Sequence, residues 1–159
     1  MPIEIDIFRR EHAERFGSLN RAWLQADGLL EPPDELQLAD PETHIIARGG
    51  QIAVALEDGE VVGTCAVLPH GPGELEMVKL AVAPAARGQG LGRRLVEWCL
   101  AYAREQGANR VVLISNSRLE SALRLYQSLG FQYRPMPETG YATADVYMEL
   151  DLTASAPPR

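Results

Sequence analysis

The chain is poor in cysteine, histidine and aromatic residues, carries no basic surplus and contains no long apolar run, and each shortage excludes a class of protein. Its two cysteines, Cys65 and Cys99, lack CxxC spacing, so they read as reduced core thiols and not as a disulfide framework or a redox motif. His12, His44 and His70 are scattered, with no HExxH and no close Cys/His cluster, so no metal site is expected. A formal net charge of −7 argues against non-specific binding to nucleic acid or an anionic membrane surface. No stretch approaches the roughly 18 apolar residues of a membrane span, and the opening MPIEIDIFRREHAE lacks the basic-then-apolar order of a signal peptide. Together these absences predict a soluble, cytoplasmic protein.

What remains is 159 residues with 46% hydrophobic content, enough for one domain with a substantial core and too little to argue for two. Residues 1–152 are assigned to that domain and 153–159, TASAPPR without its preceding segment, to a flexible tail. IEIDIF alternates as a strand does, and Ala13, Phe16, Asn20, Trp23 and Leu24 then recur at helical spacing. Pro32, Pro33, Pro41 and Gly28 break positions 25–42 into short helical pieces and loop. QIAVALEDGEVVGTCAVLP reads as a hairpin turning at Asp58-Gly59, and ELEMVKLAV as a third antiparallel strand. Leu91, Leu95, Trp98, Cys99 and Tyr102 form the apolar stripe of a helix that ends near Gly107, and RVVLIS is then a buried strand reached by a parallel crossover. Ser117 and Glu120 have capping-box spacing ahead of a helix carrying Leu119, Ala122, Leu123, Tyr126 and Leu129, and FQYR and TADVYMELDL close the domain as strands.

The most unusual stretch is LAVAPAARGQGLGRRLVEWC, where glycines and arginines gather at the mouth of a helix. Backbone amides at a helix start have no intrahelical partner and share the positive end of the helix dipole, so they can hold a phosphate. Glycine lets the backbone approach an anion closely and turn through left-handed conformations. On this reading Gly88, Gly90 and Gly92 clear the space while Arg87, Arg93 and Arg94 add charge. The bland alternative is a flexible turn before a surface helix. Neither a Rossmann GxGxxG, which would need glycine where Arg93 stands, nor a P-loop occurs.

The spacing that is present, R-x-x-G-x-G at Arg87, Gly90 and Gly92 after the V-x-P of Val82 and Pro84, resembles the acyl-CoA signature of the GNAT superfamily of N-acetyltransferases. ALRLYQSLGF at 122–131 is similar to that family's A-x-x-L-Y-x-x-x-G-F segment, and the order of elements is similar over roughly residues 3–152. The resemblance implies an α/β (α+β) GNAT fold: a mixed, mostly antiparallel central sheet of six to seven strands, splayed at the central strand and flanked by about four helices. It implies acetyl-CoA as co-substrate, its pyrophosphate cradled by the amides of Arg87, Gly88, Gln89, Gly90, Leu91 and Gly92 and its pantetheine arm paired to the edge of Leu80, Ala81 and Val82. Asn116 matches a polar cofactor contact, although the loop from Asn116 to Ala122 is longer than the common spacing. Members often form homodimers, while no stretch of this chain displays a dimer seam.

Acetyl transfer to an amine needs a free-base nucleophile, stabilisation of an oxyanion and a proton for the departing thiolate. The resemblance assigns the proton to Tyr126, whose other reading is a core tyrosine on an apolar helix face. A main-chain amide near Val82 would meet the oxyanion. EMVKLAV resembles a family strand whose carboxylate reaches the amine, which makes Glu76 the candidate base; an unbroken strand places Glu74, Glu76, Val78, Leu80 and Val82 on one face, and a bulge would break that parity. The resemblance places the acceptor walls at about 23–40 and 136–143, with Trp23, Glu76 and Tyr141 as substrate residues. Between Arg21 and Arg48 stand Asp27, Glu31, Asp34, Glu35, Asp40 and Glu42 with no Lys or Arg, which reads either as a site for a cationic amine or as a solvated acidic face. The leading expectation is an N-acetyltransferase acting on a primary amine of a small molecule or peptide; the alternatives are transfer of a longer acyl group and a non-catalytic acyl-CoA sensor.

Overall fold

The computed structural model describes residues 2–139 and 141–153. Tail residues 154–159 lie outside the described residues, so the expectation for them has no structural counterpart. The strands are β1 (Ile3–Ile7), β2 (Gln51–Glu57), β3 (Glu60–Gly71), β4 (Glu74–Val82), β5 (Arg110–Ser115), β6 (Gln132–Arg134) and β7 (Val146–Asp151); the α-helices are α1 (Ala13–Ala26), α2 (Pro32–Ala39), α3 (Leu91–Glu105) and α4 (Glu120–Ser128). The strands form one sheet in the order β1-β2-β3-β4-β5-β7-β6. Only β4 and β5 are parallel; every other neighbouring pair is antiparallel. This is the mixed, mostly antiparallel sheet that the sequence led us to expect.

Local chemistry accounts for most of these elements. Asp58 and Gly59 both adopt positive φ, 51° and 81°, the left-handed pair required by a tight hairpin whose twist matches its strands. Pro32 opens α2 where its missing amide costs nothing. Gly107, at φ 78°, ends α3, with the Gly107 and Ala108 amides donating to the carbonyls of Arg104 and Ala103. The expected capping box of α4 does not form. The helix starts after Leu119 without a side-chain cap, and Ser117 instead uses its amide and hydroxyl on Asp145, 2.8 and 2.7 Å away. A serine that finds a carboxylate across the loop satisfies it better than one orphan amide would.

The sheet separates two apolar layers. One packs α3 and α4 against the face bearing Ala53, Cys65, Val67 and Met77; the other packs α1 and α2 against Ile52, Val54, Ala66 and Ala81. Cys65 and Cys99 are free and buried in the first layer, as expected of core thiols.

Two irregularities at the centre of the sheet create the site. The β4–β5 ladder covers only Glu74–Glu76 against Arg110–Val112, and from there β5 continues beside β7 alone, so the sheet splays with the C-terminal part of β4 as one lip. In addition β4 carries a bulge. Thr64 pairs with Ala81 but Ala66 with Val78, so Lys79 and Leu80 together oppose Cys65, and Lys79 is forced to φ 59°. The extra residue overturns the single-face expectation for Glu74 to Val82. Val78 packs in the α1/α2 layer, whereas Leu80 and Val82 pack in the α3/α4 layer. Glu76 therefore shares the face of Val78 and lies opposite Leu80 and Val82.

Candidate active site

The glycine stretch forms the mouth of α3. Among the described residues no acceptor is found for the amides of Gly88, Gln89, Gly90, Leu91, Gly92 and Arg93. The Arg87 amide is engaged, closing a short 3-10 turn on the Pro84 carbonyl at 3.3 Å, so the row of free donors runs one residue later than the sequence suggested. Gly88 and Gly90 take φ of 79° and 74°, and a Cβ at either would meet no atom within 4 Å, so the space in front of the amides is open. Gly92 differs: it lies within α3, where a Cβ would sit 3.5 Å from Leu125, an ordinary contact. Neither space nor backbone conformation there demands a glycine. The arginines are not free charges. Arg87 Nε donates to the Val82 carbonyl (3.2 Å), Arg93 to the Ser128 hydroxyl (2.6 Å) and Arg94 to the Ile3 carbonyl (2.9 Å), which fixes their positive heads around the helix mouth.

From this mouth the lip of β4 leads to the splay. The Ala83 amide donates to Val62 in β3 (2.8 Å), so by strand alternation the Val82 amide and carbonyl face the open side. Tyr126, on α4, is 7% exposed, with its ring 5.8 Å from that of Phe131. No hydrogen bond engages its hydroxyl among the described residues. Burial, reinforced by the nearby Cys65 and Cys99 thiols, raises its pKa, so the phenol keeps its proton.

A cavity of about 110 Å³ opens at the splay on the other side of the sheet, lined in part by Trp23, Glu76, Lys79, Asn116, Leu119 and Tyr141. The three residues that the sequence assigned to substrate, Trp23, Glu76 and Tyr141, thus meet in one place. Burial raises the Glu76 carboxyl above its usual range, partly offset by His70 and Lys79, while Glu74 adds to the rise. Burial also raises the Tyr141 phenol, with Asp34 and Glu76 contributing. A second cavity of about 240 Å³, lined by His70, Glu138 and Tyr147 among others, adjoins Glu76 and Tyr141 from beneath the paired part of β4 and β5.

Lys79 is a site residue that the sequence did not single out, and its partner Asp34 was named there only as one acid of the 27–42 segment. Their side chains are 6% and 5% exposed and form an ion pair at 2.6 Å. Asp34 also accepts the Glu31 amide at 3.0 Å. The Lys79 carbonyl accepts the Thr64 hydroxyl (2.8 Å), which accepts Asn20 Nδ2 (3.0 Å), and Asn20 Oδ1 in turn accepts the Trp23 indole N–H (3.2 Å). The bulge is thereby fastened at both its backbone and its side chain. A signal was present in the sequence: a lysine inside the apolar run MVKLAV must find a buried partner or leave the core.

The acids between positions 27 and 42 divide: Asp27, Glu35 and Asp40 are exposed, Asp34 is buried, and most of them have partners within the fold. Glu31 accepts the amides of Ala142 and Thr143 and the Thr143 hydroxyl, Glu35 pairs with Arg21, Glu42 with Arg10, and Asp40 caps Thr43. Asn116 has both ends of its side chain engaged, donating to the Thr143 carbonyl at 2.7 Å and accepting from the Arg118 amide at 2.9 Å. It ties the end of β5 to the loop bearing Tyr141. Among the described residues, no helix is long and apolar enough to cross a membrane, and no group of His, Cys, Asp and Glu is arranged to hold a metal ion.

The sequence model of the acetyltransferase (GNAT) family matches residues 10–131. N-acetyltransferase family 8 member 2 of Rattus norvegicus is 35% identical over 115 residues, 69% of this chain and 51% of that protein. The chain thus spans about half the length of that curated relative. An uncharacterised N-acetyltransferase of Schizosaccharomyces pombe is 31% identical over 164 residues, covering 96% of this chain and 91% of the other. Among solved structures, a GNAT-family acetyltransferase from Staphylococcus aureus superposes with a TM-score of 0.86 at 18% identity, covering 95% of this chain and 99% of that one. A putative acetyltransferase from Salmonella typhimurium, solved with its cofactor acetyl-CoA, gives 0.78 at 24% identity, covering 100% and 99%. At these identities the structural likeness is one of fold.

Proposed function

The chain belongs to the acetyltransferase (GNAT) family, and on that basis we propose that it transfers an acetyl group from acetyl-CoA directly to a primary amine of a small molecule or peptide. The observation that carries the proposal is the continuity of the site. Free amides at 88–93 lead along the lip of β4 to a gap in the sheet, with a buried phenol within the layer packed on one face and a half-buried carboxylate lining the cavity on the other. Open space before Gly88 and Gly90 fits a diphosphate, and the outward amide and carbonyl of Val82 fit an amide-bearing arm once Arg87 Nε yields that carbonyl.

When bound, acetyl-CoA supplies an activated acyl thioester. The protein's own groups do the remainder. Glu76, its pKa raised by burial, accepts a proton from the attacking amine. Tyr126, kept protonated by its surroundings, gives a proton to the leaving sulfur. The Val82 amide faces the side on which negative charge develops. Alignment of the two reactants by the lip and the cavity contributes further rate.

Thiol release on a panel of amines, run beside acetyl-CoA binding by thermal shift, tests this function. Stabilisation by acetyl-CoA without thiol release on any amine would identify a sensor, and faster turnover with longer thioesters would identify a different acyl group. Tyr126→Phe should lower kcat about a hundredfold and leave acetyl-CoA binding and stability nearly unchanged, since its hydroxyl holds no other group in place. An unchanged kcat would remove Tyr126 from the mechanism.

The Glu76 role predicts a pH dependence. The base must be ionised, so activity should be present above the raised Glu76 pKa and fall as pH drops through it, at higher pH than an exposed glutamate would give. Glu76→Gln should abolish that limb and lower kcat/KM about a hundredfold, leaving only the limb set by deprotonation of the amine substrate. Persistence of the Glu76 limb in the Gln variant would assign it to another group.

A further inference from the structure

We infer that the cavity at the splay selects a primary amine carried on one compact apolar body, an aromatic ring or a branched aliphatic group, with no second cationic centre. This rests on the acetyl-transfer reading of the same site and names the acceptor class within it.

Position comes first. The 110 Å³ cavity lies where β4 and β5 part, lined by Met77, Val78 and Lys79 from one strand and Ile114, Ser115 and Asn116 from the end of the other. The larger cavity shares Glu76, Ile114 and Tyr141 with it, but extends from there beneath the last paired residues, Glu76 and Val112, where the sheet is closed, toward His70 and Glu138. An amine held at Glu76 can reach the α3/α4 side only through the splay, so its body rests in the smaller cavity.

Size and polarity come next. An engineered apolar cavity of roughly 150 Å³ holds benzene, so 110 Å³ with an open mouth suits a single ring or a branched chain. Trp23, Leu24, Leu29, Ile114 and Leu119 give the cavity an apolar wall, and its polar groups include the paired Asp34 and Lys79 and the engaged Asn116.

Charge decides against polyamines. Among the described residues the smaller cavity is lined by one carboxylate besides Glu76, Asp34, already paired with Lys79 at 2.6 Å and accepting a main-chain amide, while Glu138 lines the larger cavity alone. A second ammonium would have to leave water, face the Lys79 ammonium and find no free partner. Glu31 and Glu35 nearby are occupied by loop amides and by Arg21. Most of the acidic segment that would attract a polycation is thus engaged within the fold, and Asp27, which is exposed, does not line the cavity.

The test compares phenethylamine and isoamylamine with spermidine and 1,4-diaminobutane as acceptors, for the wild type, Leu119→Trp and Leu119→Ala, with acetyl-CoA affinity measured in parallel by calorimetry. Leu119 lies at the cavity wall, at the start of α4 and away from the amide row. The expected result is kcat/KM at least about tenfold higher for the monoamines. Filling the cavity with Leu119→Trp should cost about tenfold for phenethylamine, and Leu119→Ala should shift preference toward larger bodies, with acetyl-CoA affinity unchanged in both. Equal or better turnover of the dications, or no response of amine preference to either substitution, would overturn the inference and leave acetyl transfer standing. Tight acetyl-CoA binding with no thiol release on any amine would overturn the acetyl-transfer reading, and the inference with it.

Discussion

Replacing Gly90 with glutamate is expected to weaken acetyl-CoA binding about a thousandfold. Gly90 is the residue before the first turn of α3, at φ 74°, and a side chain there enters the open space in front of the free amides. The new carboxylate would place negative charge where the diphosphate must sit and would occupy the donors itself, as an acidic N-cap does. Losing three charge-assisted hydrogen bonds at about 1.5 kcal/mol each corresponds to roughly that factor. Two controls separate electrostatics from backbone strain. Gly90→Ala carries only the left-handed penalty of about 1–2 kcal/mol and should bind far better than Gly90→Glu. Gly92→Ala, in ordinary helix and at a tolerable 3.5 Å from Leu125, should bind like the wild type. Calorimetry with CoA reads all three, and equal affinities for Gly90→Glu and the wild type would show that the diphosphate binds elsewhere.

The second large effect concerns stability. Asp34→Ala leaves the Lys79 ammonium buried without its partner and should destabilise the protein by about 3–5 kcal/mol. At about 2–4 °C per kcal/mol for a domain of this size, the melting temperature should fall by roughly 6–20 °C. The cost comes from the orphaned charge more than from a net gain of the pair, so Asp34→Leu combined with Lys79→Met should recover most of the loss. The double variant carries a second readout. The Lys79 side chain helps hold a backbone conformation that an L-residue rarely adopts, and that bulge sets Glu76 on the cavity face while Val82 serves the other. A stable double variant with reduced kcat would separate this positioning role from stability. If Asp34→Ala melted like the wild type, the buried pair would carry no such weight.

Much of the site was legible because it is local. R-x-x-G-x-G states in consecutive residues that the backbone turns left-handed twice and then enters a helix, and a helix start leaves its amides free whatever surrounds it. The Asp58-Gly59 hairpin and the end of α3 at Gly107 are local in the same sense. Glu76, Tyr141 and Trp23 were found through the likeness to a family strand and its acceptor walls, and the fold brings them to one cavity. The capping box at Ser117 was a sound local inference that lost to Asp145, a partner 28 positions away that no nearby residue announces.

The sequence by itself determined the elements, the glycine turn with its free amides and the positions of the phenol and the carboxylate along the chain, because each depends on neighbours within a few residues. Only the tertiary structure decided which acids remain free, on which face of β4 each side chain lies and where the sheet opens. Those depend on one extra residue in β4 and on the pairing of Asp34 with Lys79 across 45 positions. A strand's side chains alternate with period two, so a single inserted residue exchanges its faces, and only the register against the neighbouring strand records the insertion.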